Sequence, residues 1–204
     1  EATEKAPAYL EPADYVTARL SGEVHATQGS MFAGQLIDNR TLSATDYDAD
    51  LVAMSGVDAS RLPPLVPAGT VVGTVRSEVA DAIGLRSDVA VVAGLTDSCA
   101  QALATGAGRS DQVGVCIGTT GVVLSAADEL GMDMDNEVLT MPGVERDRYL
   151  VSAENGIAGR AVEHVLGSLL GVPGTVDGSA PDPFAGFDDA LEASPAGAGG
   201  VVFL

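Results

Sequence analysis

The sequence predicts an α/β chain, on three observations. Val89-Ala-Val-Val-Ala93 and Val113–Ile117 are short runs of strand length, rich in β-branched residues. Pro12–Leu20 and Ile157–Leu170 carry helix signals: a proline in a first turn, an apolar side built from Ile157, Ala161, Val165 and Leu169, and glycines just past both ends. The two kinds of segment alternate along the chain, which is the order α/β folds follow.

The elements follow from local chemistry. Pro12 suits a first turn, Asp14 favours the positive end of that helix, and Gly22 stops it. Residues 44–55 predict a second helix closed by Gly56. Leu62-Pro-Pro-Leu-Val-Pro67 cannot be helical inside, because its prolines remove donors and fix φ, so it runs extended into a strand over 71–75. Ser77 is expected to cap a short helix ending at Gly84. Residues 89–93 then read as a strand buried on both faces, followed by Gly94-Leu-Thr-Asp97 and a helix from Ser98 to about Thr105. A linker at 107–111 precedes two strands, Val113–Ile117 and Val122–Ser125, joined by Gly118-Thr-Thr-Gly121 as a hairpin. Tyr149–Ala153 predicts a strand, 157–170 a helix capped by Asn155, 172–185 a loop, and 199–204 the start of a further strand. The apolar end of the chain suggests a fragment of something longer.

Composition narrows the function classes. With 204 residues and 46% apolar content, the chain is long and apolar enough to bury a core. Its formal net charge of −19 repels nucleic-acid backbones and anionic headgroups, so neither nucleic acid nor a membrane surface is an expected partner. No apolar run reaches the roughly 18 residues of a membrane span, and no leader pattern opens the sequence, so the expectation is a cytoplasmic protein. Cys99 and Cys116 have no zinc or redox spacing. His25 and His164 are too far apart in sequence to suggest a metal pair. Phosphate-loop and dinucleotide glycine fingerprints are both missing.

Three places could carry chemistry. Asp97 stands just past a strand and at the start of a helix, where α/β sheets gather ligands and where a carboxylate can stay ionised and accept a proton. It could equally serve only as a helix cap, with Thr96 and Ser98 as neighbours in that cap or as polyol contacts. Gly118-Thr-Thr-Gly121 could cradle a phosphate with backbone N–H groups and hydroxyls, or could simply turn a hairpin. Gly159 opens a helix whose terminus could receive a nucleotide phosphate, or it could allow close packing, and Glu163 lies one turn further on.

Taken in order, these segments resemble the FGGY carbohydrate kinases, most closely their xylulokinase-like branch. Asp14-Tyr-Val-Thr-Ala-Arg-Leu-Ser-Gly-Glu23 is similar to that family's D-Y-L-x-x-x-L-T-G-E segment. The run Leu62 to Gly73 resembles its L-P-x-L-v-x-x-G-x-x-x-G segment. Val91-Val-Ala-Gly-Leu-Thr-Asp97 followed by Ala100 is similar to V-x-x-G-x-x-D-x-x-A, and Ile117-Gly-Thr-Thr-Gly-Val-Val123 to the L-G-T-S-G-V phosphate motif. Gly159-Arg-Ala-Val-Glu163 resembles the nucleotide-contacting G-x-x-x-Q pattern of the related glycerol kinases. The resemblance implies part of an actin-like ATPase, ribonuclease H-like two-domain fold. Residues 1–106 would end the sugar-binding domain, 107–111 would link, and 112–204 would begin the nucleotide-binding domain.

It also implies ATP and Mg2+ as cofactors, a sugar or polyol as substrate, and a homodimer as the candidate assembly. Asp97 matches the catalytic base and Ser98 a sugar contact, while Gly118, Thr119, Thr120, Gly159 and Glu163 match nucleotide-facing positions. Ser98 replaces the asparagine usual in xylulokinases, and Thr96-Asp-Ser98 resembles ribulokinase- or sedoheptulokinase-like branches. Glu163 replaces glutamine. The competing reading is a non-catalytic actin-like scaffold that binds nucleotide or sugar.

Overall fold

The structure, a computed structural model, describes residues 6–109, 111–171 and 184–201. Two compact units make up the chain. The first comprises 1–116 and 122–154, the second 117–121 and 155–204. These boundaries differ from the expected break at 107–111.

The first unit opens with helix α1, Pro12–Ser21, which ends at Gly22 in the left-handed conformation. It packs across a two-stranded antiparallel sheet of β1, Val71–Thr74, and β2, Ala90–Val92. Its polarity is inverted relative to a simple amphipathic helix: Tyr15 and Val16 are exposed while Asp14 is fully buried. The prolines at 63, 64 and 67 keep that segment extended, as expected. Its Leu65 bridges Ala26 in parallel, so Ala26, Met31, Ile37 and Leu65 form one small core.

Helix α2 is shorter than residues 44–55 suggested. It covers Ala49–Ser55, because the Asp48 side chain accepts the N–H groups of Asp50 and Leu51 and starts the helix there. Helix α3, Ser77–Ile83, begins one residue earlier than a Ser77 cap requires. Arg76 is its N-cap, with no side-chain capping bond. Strand β2 is not buried on both faces either. Val91 is inside but Val92 is 46% exposed, because its one partner strand is β1 and helix covers a single face.

Helix α4, Asp97–Thr105, lies against a five-stranded sheet in the order β3-β4-β7-β6-β5. Strands β3, Val113–Ile117, and β4, Gly121–Ala127, are the expected pair. Strands β5, Met132–Asp133, and β6, Val138–Pro142, were not foreseen, since Asp and Glu crowd that stretch and hide the alternation. Strand β7, Tyr149–Asn155, returns to the middle of the sheet, antiparallel to β6. Along β4 the alternation is clean: Val122 and Leu124 point inward and Val123 outward. With Met141 and Leu150 they meet Cys99 and Ala102 of α4 in the largest core cluster.

In the second unit, the predicted 157–170 helix divides. Helix α5 is Gly159–His164 and continues as a π-helical turn, Val165–Leu169. Asn155 does not cap it; its side chain accepts the Ile157 N–H in a turn before the helix. Helix α6, Phe187–Ala193, was not anticipated. The expected loop at 172–185 falls mostly outside the described residues, as do 202–204 of the expected last strand. Residues 196–200 form a 3-10 turn with Gly197, Ala198 and Gly199 at positive φ, so 199 and 200 are not strand. No helix among the described residues is long and apolar enough to cross a membrane.

Candidate functional site

Two groups of predicted residues are placed by these elements, one in each unit. In the first unit β2 feeds into Gly94-Leu-Thr and then α4. Thr96 is the N-cap of α4, its hydroxyl accepting the Cys99 N–H at 3.4 Å. The capping role that Asp97 could have filled therefore belongs to Thr96. Asp97 is the first helical residue and is exposed. Its Oδ1 accepts the Ser98 N–H at 2.7 Å and faces the Ser98 hydroxyl at 3.4 Å. Oδ2 makes no hydrogen bond among the described residues. A carboxylate held by one oxygen on a helix N–H, with the other oxygen open, can accept a proton from a ligand hydroxyl.

Asp97 lines an open recess of about 360 Å³. Leu95 and Thr96 share its wall, and Pro12, Ala13 and Ser30 close the opposite side. Ser30 was not singled out from the sequence, and no periodicity marks it. Only the packing of α1 and the 26–31 segment around Gly94 brings it to the recess.

In the second unit, residues 118–120 form a tight loop. The Gly118 N–H donates to the Thr120 carbonyl at 2.8 Å. Ala158 N–H donates to the Thr119 carbonyl at 3.0 Å, and Gly159 N–H to the Gly118 carbonyl at 2.8 Å. A Cβ at 159 would overlap the Gly118 oxygen, so glycine is needed there for this close approach. The first amide of α5 and the Gly118 amide are thus committed within the loop. Thr119 is exposed, and neither its hydroxyl nor that of Thr120 makes a hydrogen bond among the described residues. Glu163 is exposed on α5 and takes no part in the loop.

Free hydroxyls on a glycine-flanked loop suit an anion such as the terminal phosphate of a nucleotide. The described residues contain no group of three or more His, Cys, Asp or Glu side chains placed to hold a metal ion.

Residues 1–104 match the FGGY family of carbohydrate kinases, N-terminal domain. Xylulose kinase of Bacillus subtilis (strain 168) is 29% identical over 163 residues, which is 80% of this chain and 32% of that protein. Autoinducer-2 kinase of Enterobacter sp. (strain 638) is 30% identical over 131 residues, 64% of this chain and 24% of that protein. The ligand-bound xylulose kinase of Lactobacillus acidophilus superposes with a TM-score of 0.71 at 21% identity, covering 94% of this chain and 36% of that one. The chain spans about a third or less of the length of the relatives it matches.

Proposed function

The chain belongs to the FGGY family of carbohydrate kinases and has part of their actin-like fold, and from that premise we propose that the whole protein transfers the terminal phosphoryl group of ATP to a hydroxyl of a ketose or polyol, with Asp97 as general base. The observation that carries this reading is the state of Asp97. It stands at a recess of about 360 Å³, it is relieved of capping by Thr96, and one carboxylate oxygen is free.

In this mechanism the sugar hydroxyl oxygen bonds to the γ-phosphorus while the bond to the β,γ-bridging oxygen breaks and ADP leaves. Asp97 takes the hydroxyl proton. Ser98 lies beside it as a sugar contact. Thr119 and Thr120 hold the phosphate with their hydroxyls, supported by their lack of any other partner. Gly118 and Gly159 act by shaping that loop, since their own amides are already bonded within it. Phosphoryl transfer asks mainly for alignment and charge stabilisation, which such groups supply. Residues 1–106 belong with the sugar-binding domain in this reading and 112–204 with the nucleotide-binding domain.

D-xylulose is the first substrate to test, on the resemblance to the Bacillus subtilis enzyme. Ser98 and the resemblance to an autoinducer-2 kinase favour other sugars as the second reading. Coupled ADP release by the whole protein, measured against xylulose, ribulose, sedoheptulose and glycerol, tests both. Turnover with one of them supports a kinase. Binding of ATP and sugar without ADP release assigns a non-catalytic scaffold instead.

A further inference from the structure

Asp14 suits the positive end of α1 as a carboxylate, but helix position alone does not account for its burial in the core. It lies in the first turn of α1 with a wholly buried side chain, and neither oxygen makes a hydrogen bond of ordinary geometry. Burial pushes its pKa up to about 6; the facing Ser30 hydroxyl pulls it partly back, and the charge of Glu11 adds to the rise. An unpaired buried carboxyl costs stability, so an apolar residue would serve the fold better at this position.

Its surroundings point to another role. A Cβ added to Gly94 would stand 3.0 Å from the Ala13 Cβ and 3.1 Å from Asp14 Oδ1. The carboxyl therefore packs on the bare Cα of Gly94, three residues before Asp97. From the other direction the Thr27 hydroxyl donates to the Gly94 carbonyl at 3.2 Å. Thr27 and Ser30 are locked together: Thr27 N–H to Ser30 Oγ at 2.9 Å, Ser30 N–H to Thr27 Oγ1 at 3.0 Å. All three polar side chains are buried. Ala13 and Ser30, which flank Asp14 in this cluster, also line the recess that holds Asp97.

We propose that Asp14 is a positioning residue for Asp97: packed on Gly94 and facing Ser30, its carboxyl holds the turn from β2 into α4 and so sets where the Asp97 carboxylate stands in the recess. The proposal rests on the reading of Asp97 as the proton acceptor. A shift of about 1 Å in such a group costs on the order of a hundredfold in rate, so a residue that touches no substrate can act strongly through it.

The test is steady-state kinetics of the whole protein with Asp14→Ala, Asp14→Leu, Asp14→Asn, Gly94→Ala and Asp97→Asn, each rate expressed per folded molecule from near-UV circular dichroism. The expected result is a kcat lowered at least about tenfold in Asp14→Ala and Asp14→Leu, with both KM values within about threefold of the parent. Asp14→Asn, which keeps the shape and a polar atom toward Ser30, retains at least about a third of kcat. Gly94→Ala pushes on the same contact from the other side and lowers kcat in the same way, which keeps the test informative if a position-14 variant folds poorly. Rates per folded molecule within about twofold of the parent in Asp14→Ala, Asp14→Leu and Gly94→Ala overturn the proposal while leaving Asp97 in place. Near-normal turnover by Asp97→Asn overturns the general-base reading itself, and the positioning role with it.

Discussion

Gly159 donates its backbone N–H to the carbonyl oxygen of Gly118 at 2.8 Å, and a Cβ on Gly159 would overlap that same oxygen. Backbone presses on backbone, with no flexible side chain to move aside. Gly159→Ala therefore has to displace the 118–120 loop, at a cost typical of overpacking, about 1–3 kcal/mol. The expected outcome in the whole protein is ATP binding weakened about tenfold by calorimetry, with sugar KM within about twofold. Unchanged ATP affinity would remove this loop from nucleotide binding.

Asp97→Asn keeps the size of the side chain and still accepts the Ser98 N–H. It removes the proton acceptor alone. A fall in kcat of about 10²–10⁴ is expected, with ATP affinity nearly intact. Single-turnover ADP release separates the chemical step from binding.

Thr96→Ala removes the cap of α4. The expected loss is about 1 kcal/mol, read as a drop in Tm of about 2–4 °C for a chain of this size. Thr96→Ser should keep most of that stability. If the alanine variant melted with the parent, the hydroxyl contact to the Cys99 N–H would carry no weight.

Asp14 makes stability depend on pH. Its folded pKa is about 6 against an ordinary 3.8, so the folded state holds the proton more tightly than the unfolded state does. Its contribution is fully present below about pH 4 and is lost as pH rises through about 6. Asp14→Asn lacks this dependence. Urea unfolding of the two proteins should therefore show the variant gaining on the parent between pH 4 and 7, by an amount on the order of 2 kcal/mol. A gap that stays flat across that window would show that the carboxyl does not titrate there.

Much of the frame was legible in the residues themselves. Prolines at 63, 64 and 67 compelled an extended segment whatever surrounded it, and Gly22, Gly56, Gly84 and Gly106 each end a helix in the left-handed conformation. Asp97 and the 118–121 turn could be singled out because glycine and threonine between apolar runs leave a mark in sequence. Less local features were not legible. Strands β5 and β6 hide among Asp and Glu, since β6 is held by pairing with β7 and β5 by pairing with β6, rather than by their own propensity. Ser30 reaches the recess from more than sixty positions before Asp97, and no spacing rule spans such a gap.

By itself the sequence determined the helices and strands that carry the site, the family motifs and the candidate base, because caps, prolines and short apolar runs act over a few neighbouring residues. Only the tertiary structure decided which face of α1 turns inward. By putting Tyr15 and Val16 in water and Asp14 against Gly94, it reversed what side-chain polarity suggests. The physical reason is the close approach of α1 to the β2–α4 turn, where small side chains and a bare glycine Cα leave room for a carboxyl but for little more.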